Sequence, residues 1–144
     1  MVFPVNASFN ERDRQSEYGG AGSSLLIVED HSLLAEYMAM VAEELGWNVQ
    51  IADSARDFER KIEPGHPSVL ALDLGLPDGD GVELLRHLSG VGYKGAILII
   101  SGCDESVLES CGRLAGLLGL RVTGHVQKPL TASVFTRLLE QSEQ

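Results

Sequence analysis

The sequence has few cysteines, and no apolar run is long enough for a membrane span. Two cysteines among 144 residues do not support a disulfide framework or a cysteine-based zinc site. We therefore expect Cys103 and Cys111 to be free thiols in a reducing cytosol. No apolar run approaches the roughly 20 residues that a membrane-spanning helix requires. The amino terminus also lacks the basic and apolar regions of a secretory signal. These absences favour a cytoplasmic protein without membrane partners.

Positive charge is also scarce. Lysine and arginine together number 11 against 21 aspartates and glutamates, which gives a formal net charge of −10. Proteins that bind nucleic acid usually carry a basic patch, so direct binding to nucleic acid is not expected. The hydrophobic fraction of 44% is ordinary for a globular protein, and the length fits one domain with a substantial core.

The first residues differ from the rest of the chain. Residues 1–22 are polar, mixed in charge and end in Gly-Gly-Ala-Gly. This composition predicts a flexible leader that does not contribute to a core. Residues 23–144 are predicted to form the single folded domain.

From Ser24 onward, short apolar runs alternate with segments of helical periodicity. The runs predict five strands, at 25–29, 47–52, 68–73, 96–101 and 120–126. Helix ends are predicted at Gly46, Gly90 and Gly119, with a further chain break at Pro64-Gly65. Ser54 and Asp57 have the spacing of a capping box at the start of the second helix. This alternation predicts an α/β fold with a parallel sheet covered on both faces.

Charged and polar residues follow the predicted strands. Ligands of open parallel sheets bind beyond the carboxyl ends of the strands, so these residues are candidates for one site. The candidates, in chain order, are Glu29 and Asp30, Asp73, Ser101, and Lys128 followed by Pro129.

The chemistry of this set is consistent with phosphoryl transfer. Three close carboxylates repel one another, and Mg²⁺ removes that penalty. An ionised aspartate such as Asp73 can attack phosphorus. Lys128 supplies positive charge and Ser101 a hydroxyl donor for phosphate oxygens.

Single motifs also fit other interpretations. Glu29-Asp30 fits a plain helix start, since acidic residues favour helix amino termini, and Ser101-Gly102 fits a turn. The Asp-Gly-Asp-Gly of residues 78–81 suggests a calcium loop, but this register puts Leu76 and His87 at its first and last ligand positions. A tight loop that caps the following helix is the favoured interpretation.

Four segments together carry a family resemblance. "LLIVED", "LALDLGLPDGDG", "LIISG" and "VQKPL" occur in order at the predicted strand ends. They resemble the receiver domain of bacterial two-component response regulators, over about residues 24–141. The resemblance implies a flavodoxin-like (βα)5 fold, which is a doubly wound parallel five-stranded sheet in the order 2-1-3-4-5.

The resemblance also implies a metal site and a phosphoacceptor. Asp73 matches the residue that takes a phosphoryl group from a histidine kinase or a histidine phosphotransfer protein. Glu29 and Asp30 match the acidic pair that holds Mg²⁺ together with Asp73. The backbone carbonyl of Gly75 matches a further metal ligand.

The remaining matches concern the switch. Ser101 matches the hydroxyl residue that turns toward the phosphoryl group, and Lys128 matches the lysine beside it. Pro129 matches a proline that often follows a cis peptide bond. The family usually has tyrosine or phenylalanine three residues before the lysine, whereas this chain has His125. A histidine there can still rotate.

The resemblance implies a signalling switch rather than an enzyme. The catalysis it implies is at most a slow removal of the domain's own phosphoryl group. Phosphorylation would change the surface of strand 5 and its flanking helices, which would control an output domain or a partner protein. The helix 4–strand 5–helix 5 face is a candidate homodimer interface. The segment of residues 116–130 resembles receivers fused to cyclic-di-GMP phosphodiesterase domains, which suggests one such output.

The sequence is also compatible with two other functions. One is a receiver-like interaction module that is not phosphorylated. The other is a metal-dependent phosphohydrolase with an aspartate nucleophile. That enzyme needs a second acid two positions after the nucleophile, where this chain has Gly75.

Overall fold

Five parallel strands form one sheet at the centre of the domain. The computed structural model describes residues 23–63 and 66–143, so the predicted leader and the break at Pro64-Gly65 lie outside the described residues. The strands are β1 (Ser24–Val28), β2 (Asn48–Ala52), β3 (Val69–Leu72), β4 (Ala96–Ser101) and β5 (Arg121–Gln127). Their order is β2-β1-β3-β4-β5, which confirms the predicted doubly wound sheet.

A helix follows each strand and returns the chain to the end of the sheet at which the strands begin. The helices are α1 (Ser32–Glu44), α2 (Ala55–Ile62), α3 (Gly81–Gly90), α4 (Glu105–Leu117) and α5 (Ala132–Ser142). Among the described residues, no helix combines the length and apolarity needed to cross a membrane.

Both faces of β1, β3 and β4 are buried, which explains why these strand sequences are apolar without alternation. Leu26 and Val28 face a core formed with α2, α3 and α4. Leu25 and Ile27 face a second core formed with α1 and α5. Strands β1 and β3 are neighbours near the middle of the sheet, and Val28 pairs with Leu72 in register. The residues that follow these two strands therefore leave the sheet side by side.

Helix α3 ends at Gly90, as predicted, and the residue with positive φ beyond it is Gly92. Gly46 and Gly119, which also have positive φ, follow the ends of α1 and α4 as predicted. One detail of the helices differs from the sequence prediction. The predicted capping box is incomplete: the Ser54 side chain accepts from the Asp57 N–H, but Asp57 accepts from the N–H of Asp53 rather than of Ser54.

The Asp-Gly-Asp-Gly loop connects β3 to two helices. Asp80 caps α3 as predicted, accepting from the Glu83 N–H at 2.9 Å. Asp78 instead caps a different helix, because its carboxylate accepts from the N–H groups of Ala55 and Arg56 at 2.7 and 3.1 Å. These bonds at the amino terminus of α2 fix the loop that follows the phosphoacceptor candidate.

We expect the Asp78→Asn substitution to lower the free energy of unfolding at neutral pH. The N–H groups of Ala55 and Arg56 hold the pKa of Asp78 below its usual value of 3.8. A depressed pKa stabilises the fold above the unfolded-state pKa, and this stabilisation is lost as pH falls through the folded-state pKa. Urea unfolding should therefore show a difference from wild type that shrinks with acidification. Glu59→Gln, at an exposed position of α2, is the control; a difference independent of pH would contradict the capping role.

Candidate functional site

The ends of β1 and β3 bring three carboxylates together. The Asp73 N–H donates to the Val28 carbonyl at 3.1 Å, which continues the strand pairing to the edge of the sheet. Glu29, Asp30 and Asp73 each offer an oxygen, and these atoms lie within 4.8 Å of one another. Glu29 and Asp73 are only 2% and 5% exposed, whereas Asp30 is exposed. The cluster is thus buried on one side and open on the other.

Lys128 is the cation that contacts the two buried carboxylates. Its Nζ lies 2.9 Å from Oε1 of Glu29 and 3.2 Å from Oδ2 of Asp73. The Lys128–Pro129 peptide bond is cis, as predicted from the sequence. Strand β5 ends one residue before Lys128, so the sheet itself brings the lysine to the carboxylates.

Backbone N–H groups contact the remaining carboxylate oxygens. Gly75 N–H donates to Oδ1 of Asp73 at 3.0 Å, and His31 N–H donates to Oε2 of Glu29 at 3.2 Å. Each buried carboxylate therefore has one oxygen near Lys128 and one bonded to the backbone, which is how buried charges are usually accommodated.

Burial and charge shift the pKa values of this cluster. Burial raises the pKa of Glu29, and the nearby Asp73 charge adds to the increase, while the hydrogen bond from Lys128 opposes it. Burial alone would lower the pKa of Lys128, but the hydrogen bond to Glu29 and the charge of Asp73 raise it. Lys128 therefore stays positively charged at neutral pH. The raised pKa of Glu29 means that its ionised form is destabilised relative to a carboxylate in water.

Ser101 ends β4 beside this cluster and is 1% exposed. Its backbone carbonyl accepts from the Lys128 N–H at 2.8 Å, which joins the ends of β4 and β5. Its hydroxyl donates to Sγ of Cys103 at 3.3 Å, and the Cys103 N–H lies 3.4 Å from the same hydroxyl oxygen. From the sequence, Cys103 is expected only as a free thiol, because no spacing motif marks this contact.

His125 lies on β5, outside the carboxylate cluster. It pairs in register with Ile99 of β4. Its Nδ1 lies 3.4 Å from Oε2 of Glu105, the first residue of α4, without the geometry of a hydrogen bond. The residue at the expected switch position is therefore half-buried next to the start of α4.

The donor set fits Mg²⁺. Three carboxylates face one ammonium group, so the cluster carries an excess of negative charge when Glu29, Asp30 and Asp73 are ionised. Oxygen ligands and an open side suit a hard divalent cation that retains water and binds phosphate oxygens.

Comparisons with known proteins identify the family of the chain. Residues 25–140 match the family model described as the response regulator receiver domain. Over 80 residues, the chain is 38% identical to the transcriptional regulatory protein BasR of Escherichia coli, covering 56% of this chain and 36% of BasR. It is 28% identical to the transcriptional regulatory protein TrcR of Mycobacterium tuberculosis, covering 88% of this chain and 56% of TrcR. The chain thus spans about a third to about half of these relatives.

Solved structures show the same fold. A response regulator from Colwellia psychrerythraea has a TM-score of 0.70 and 29% identity, covering 85% of this chain and 98% of that one. Vibrio cholerae chemotaxis protein CheY4 has a TM-score of 0.74 and 19% identity, and the match covers 85% of this chain and 99% of CheY4.

The chain belongs to the response regulator receiver family. Receiver domains are phosphoacceptor switches of two-component signalling, and response regulators receive their phosphoryl group from histidine kinases. The similarity to transcriptional regulators weakens the expectation that a protein containing this chain does not bind nucleic acid.

We expect Asp73→Asn to stabilise the metal-free protein. Removing this charge relieves its repulsion of Glu29, while Lys128 keeps its closer partner at 2.9 Å. The substitution also removes the 3.2 Å contact with Lys128, which offsets part of the relieved repulsion and of the cost of burying the Asp73 charge. The expected net gain is therefore about 1 kcal/mol, at the lower end of the repulsion between two such charges. Because Asp73 raises the pKa of Glu29, the gain should be largest above that raised pKa and shrink as pH falls and Glu29 becomes neutral.

Urea unfolding with a metal chelator, at neutral and acidic pH, measures this gain. Asp53→Asn is the matched control, because Asp53 is an exposed aspartate that follows β2 at the same edge of the sheet. Equal stability of Asp73→Asn and wild type at neutral pH would show that Lys128 already compensates the repulsion in full.

Proposed function

We propose that Asp73 accepts a phosphoryl group from the phosphohistidine of a histidine kinase or of a histidine phosphotransfer protein. The observation that carries this proposal is the cluster of three carboxylates with Lys128 in a chain of the receiver family. Glu29, Asp30, Asp73 and the backbone carbonyl of Gly75 would hold Mg²⁺. A cytoplasmic location is part of the same proposal.

In the transfer step, an ionised Asp73 oxygen bonds to phosphorus and the bond from phosphorus to the donor imidazole nitrogen breaks. The electron pair of that bond returns to the imidazole, so the products are an aspartyl phosphate and a free histidine. Bound Mg²⁺ supplies charge neutralisation for the phosphoryl oxygens. Lys128, 3.2 Å from Asp73 Oδ2, places its positive charge beside the same oxygens.

Ser101 and His125 belong to the switching part of the proposal. After transfer, the Ser101 hydroxyl turns to donate to a phosphoryl oxygen. Its motion reaches the start of α4, where Glu105 contacts His125 of β5. The surface of β5 and its flanking helices then changes its affinity for an output domain, a partner protein or a second copy of the chain.

A phosphoacceptor role is better supported than hydrolysis. Gly75 lies two positions after Asp73, and its N–H contacts the Asp73 carboxylate. The position where a phosphohydrolase needs a second acid therefore provides only backbone groups. Relatives named as transcriptional regulators favour a DNA-binding output over the cyclic-di-GMP phosphodiesterase suggested by the sequence.

Acetyl phosphate and Mg²⁺ test the phosphoacceptor role. Intact mass should show the gain of one phosphoryl group by the wild type, no gain by Asp73→Asn, and an unchanged gain by Asp53→Asn. The aspartyl phosphate should form only with Mg²⁺, because the excess negative charge otherwise repels the donor. If wild type gains nothing while binding Mg²⁺, the chain is a receiver-shaped interaction module.

Backbone NMR tests the switch. Beryllium fluoride, which imitates an aspartyl phosphate, should shift amide resonances of β5 and of the first turn of α4 in the wild type. His125→Ala removes the ring beside Glu105 and should reduce the shifts on β5 while leaving those next to Asp73. His66→Ala, outside the site, is the control. Equal β5 shifts in His125→Ala and wild type would exclude His125 from the switch.

A further inference from the structure

The Ser101 hydroxyl is engaged within its own loop. It donates to Cys103 Sγ at 3.3 Å, and the Cys103 N–H lies 3.4 Å from its oxygen. Because a hydroxyl has a single proton, it cannot donate to Cys103 and to a phosphoryl group at the same time. Ser101 must therefore give up the thiol contact before it can bind a phosphoryl oxygen on Asp73.

We propose that Cys103 is a positioning residue whose sulfur holds the Ser101 hydroxyl in its unphosphorylated orientation. The inference rests on the proposed function and deepens it, because it names a residue that sets the balance between the two states. Sulfur is a weak acceptor. The contact therefore biases the hydroxyl without preventing its release.

The surroundings of the pair leave the hydroxyl as the movable part. The Ser101 carbonyl is bonded to the Lys128 N–H at 2.8 Å. On the other side of Cys103, Asp104 caps α4, since its carboxylate accepts from the Val107 N–H at 3.1 Å and from the Ser106 hydroxyl at 2.8 Å. Cys103 itself packs against the core below α4. Both ends of the loop are therefore anchored.

Cys103→Ala removes the acceptor and keeps the backbone contact. The loss of one modest hydrogen bond in the unphosphorylated state should tighten beryllium fluoride binding in Mg²⁺ by roughly two- to fivefold. Fluorine NMR titration measures this affinity. Cys103→Ser keeps an acceptor at the position and should restore an affinity close to that of wild type.

Two further variants separate positioning from a general structural effect. In a Ser101→Ala background, Cys103→Ala should have no effect on affinity, because the hydroxyl through which it acts is gone. Cys111→Ala, at the other half-buried cysteine, should leave the affinity unchanged. In the metal-free protein, the side-chain coupling constants of Ser101 should report a single rotamer in wild type and rotamer averaging in Cys103→Ala.

The outcomes distinguish this inference from the proposed function. Wild type that gains a phosphoryl group from acetyl phosphate, with equal beryllium fluoride affinity in Cys103→Ala, would overturn the role of Cys103 alone. An equal effect of Cys103→Ala with and without Ser101 would also overturn it, because the effect would then not pass through the hydroxyl. Wild type that gains no phosphoryl group would overturn both.

Discussion

The contact of Lys128 with Glu29 and Asp73 is the interaction on which the site depends. Two carboxylates buried at the edge of an apolar sheet are costly unless they are paired. One ammonium group lies 2.9 and 3.2 Å from them, and Asp30 adds a third negative charge on the open side. The fold therefore maintains an excess of negative charge at this site. Under the proposed function, a divalent cation neutralises that charge and so allows a phosphoryl group to approach.

The sheet topology makes this arrangement possible. Because β1 and β3 are neighbours, the residues that follow Val28 and Leu72 emerge side by side at one edge. Strands β1 and β3 are apolar to their last residues, since both of their faces are covered by helices. At these two strands, charge is confined to the residues just after the strand, where one side is open. The apolar interior thus determines both the position of the carboxylates and the direction from which a donor approaches.

Strand positions and strand-end residues could be predicted from the sequence, because two-sided burial leaves continuous apolar runs. The rotation of each helix about its own axis is harder to predict. Val82 and Val107 have the spacing of an inner helix face, but they are 38% and 41% exposed. The buried residues are instead Leu84 and Leu108. Periodicity locates a helix without fixing its rotation to within one residue. The bond from Asp78 to α2 spans 23 positions, and the contact of Ser101 with Cys103 depends on side-chain orientation, so neither has a sequence signature.

The β4–α4 loop lies between the site and the β5 surface in the proposed switch. Ser101, Cys103 and Asp104 lie within four consecutive positions, and Asp104 caps the helix whose first residue, Glu105, lies beside His125. The bond from Lys128 N–H to the Ser101 carbonyl holds the ends of β4 and β5 together. In the proposed switch, the Ser101 side chain turns while its backbone stays bonded to Lys128, so we propose that the effect passes through the loop. Coupling along such contacts is shown by variants that change it, and Cys103 and His125 are positions where it can be changed without altering the carboxylates.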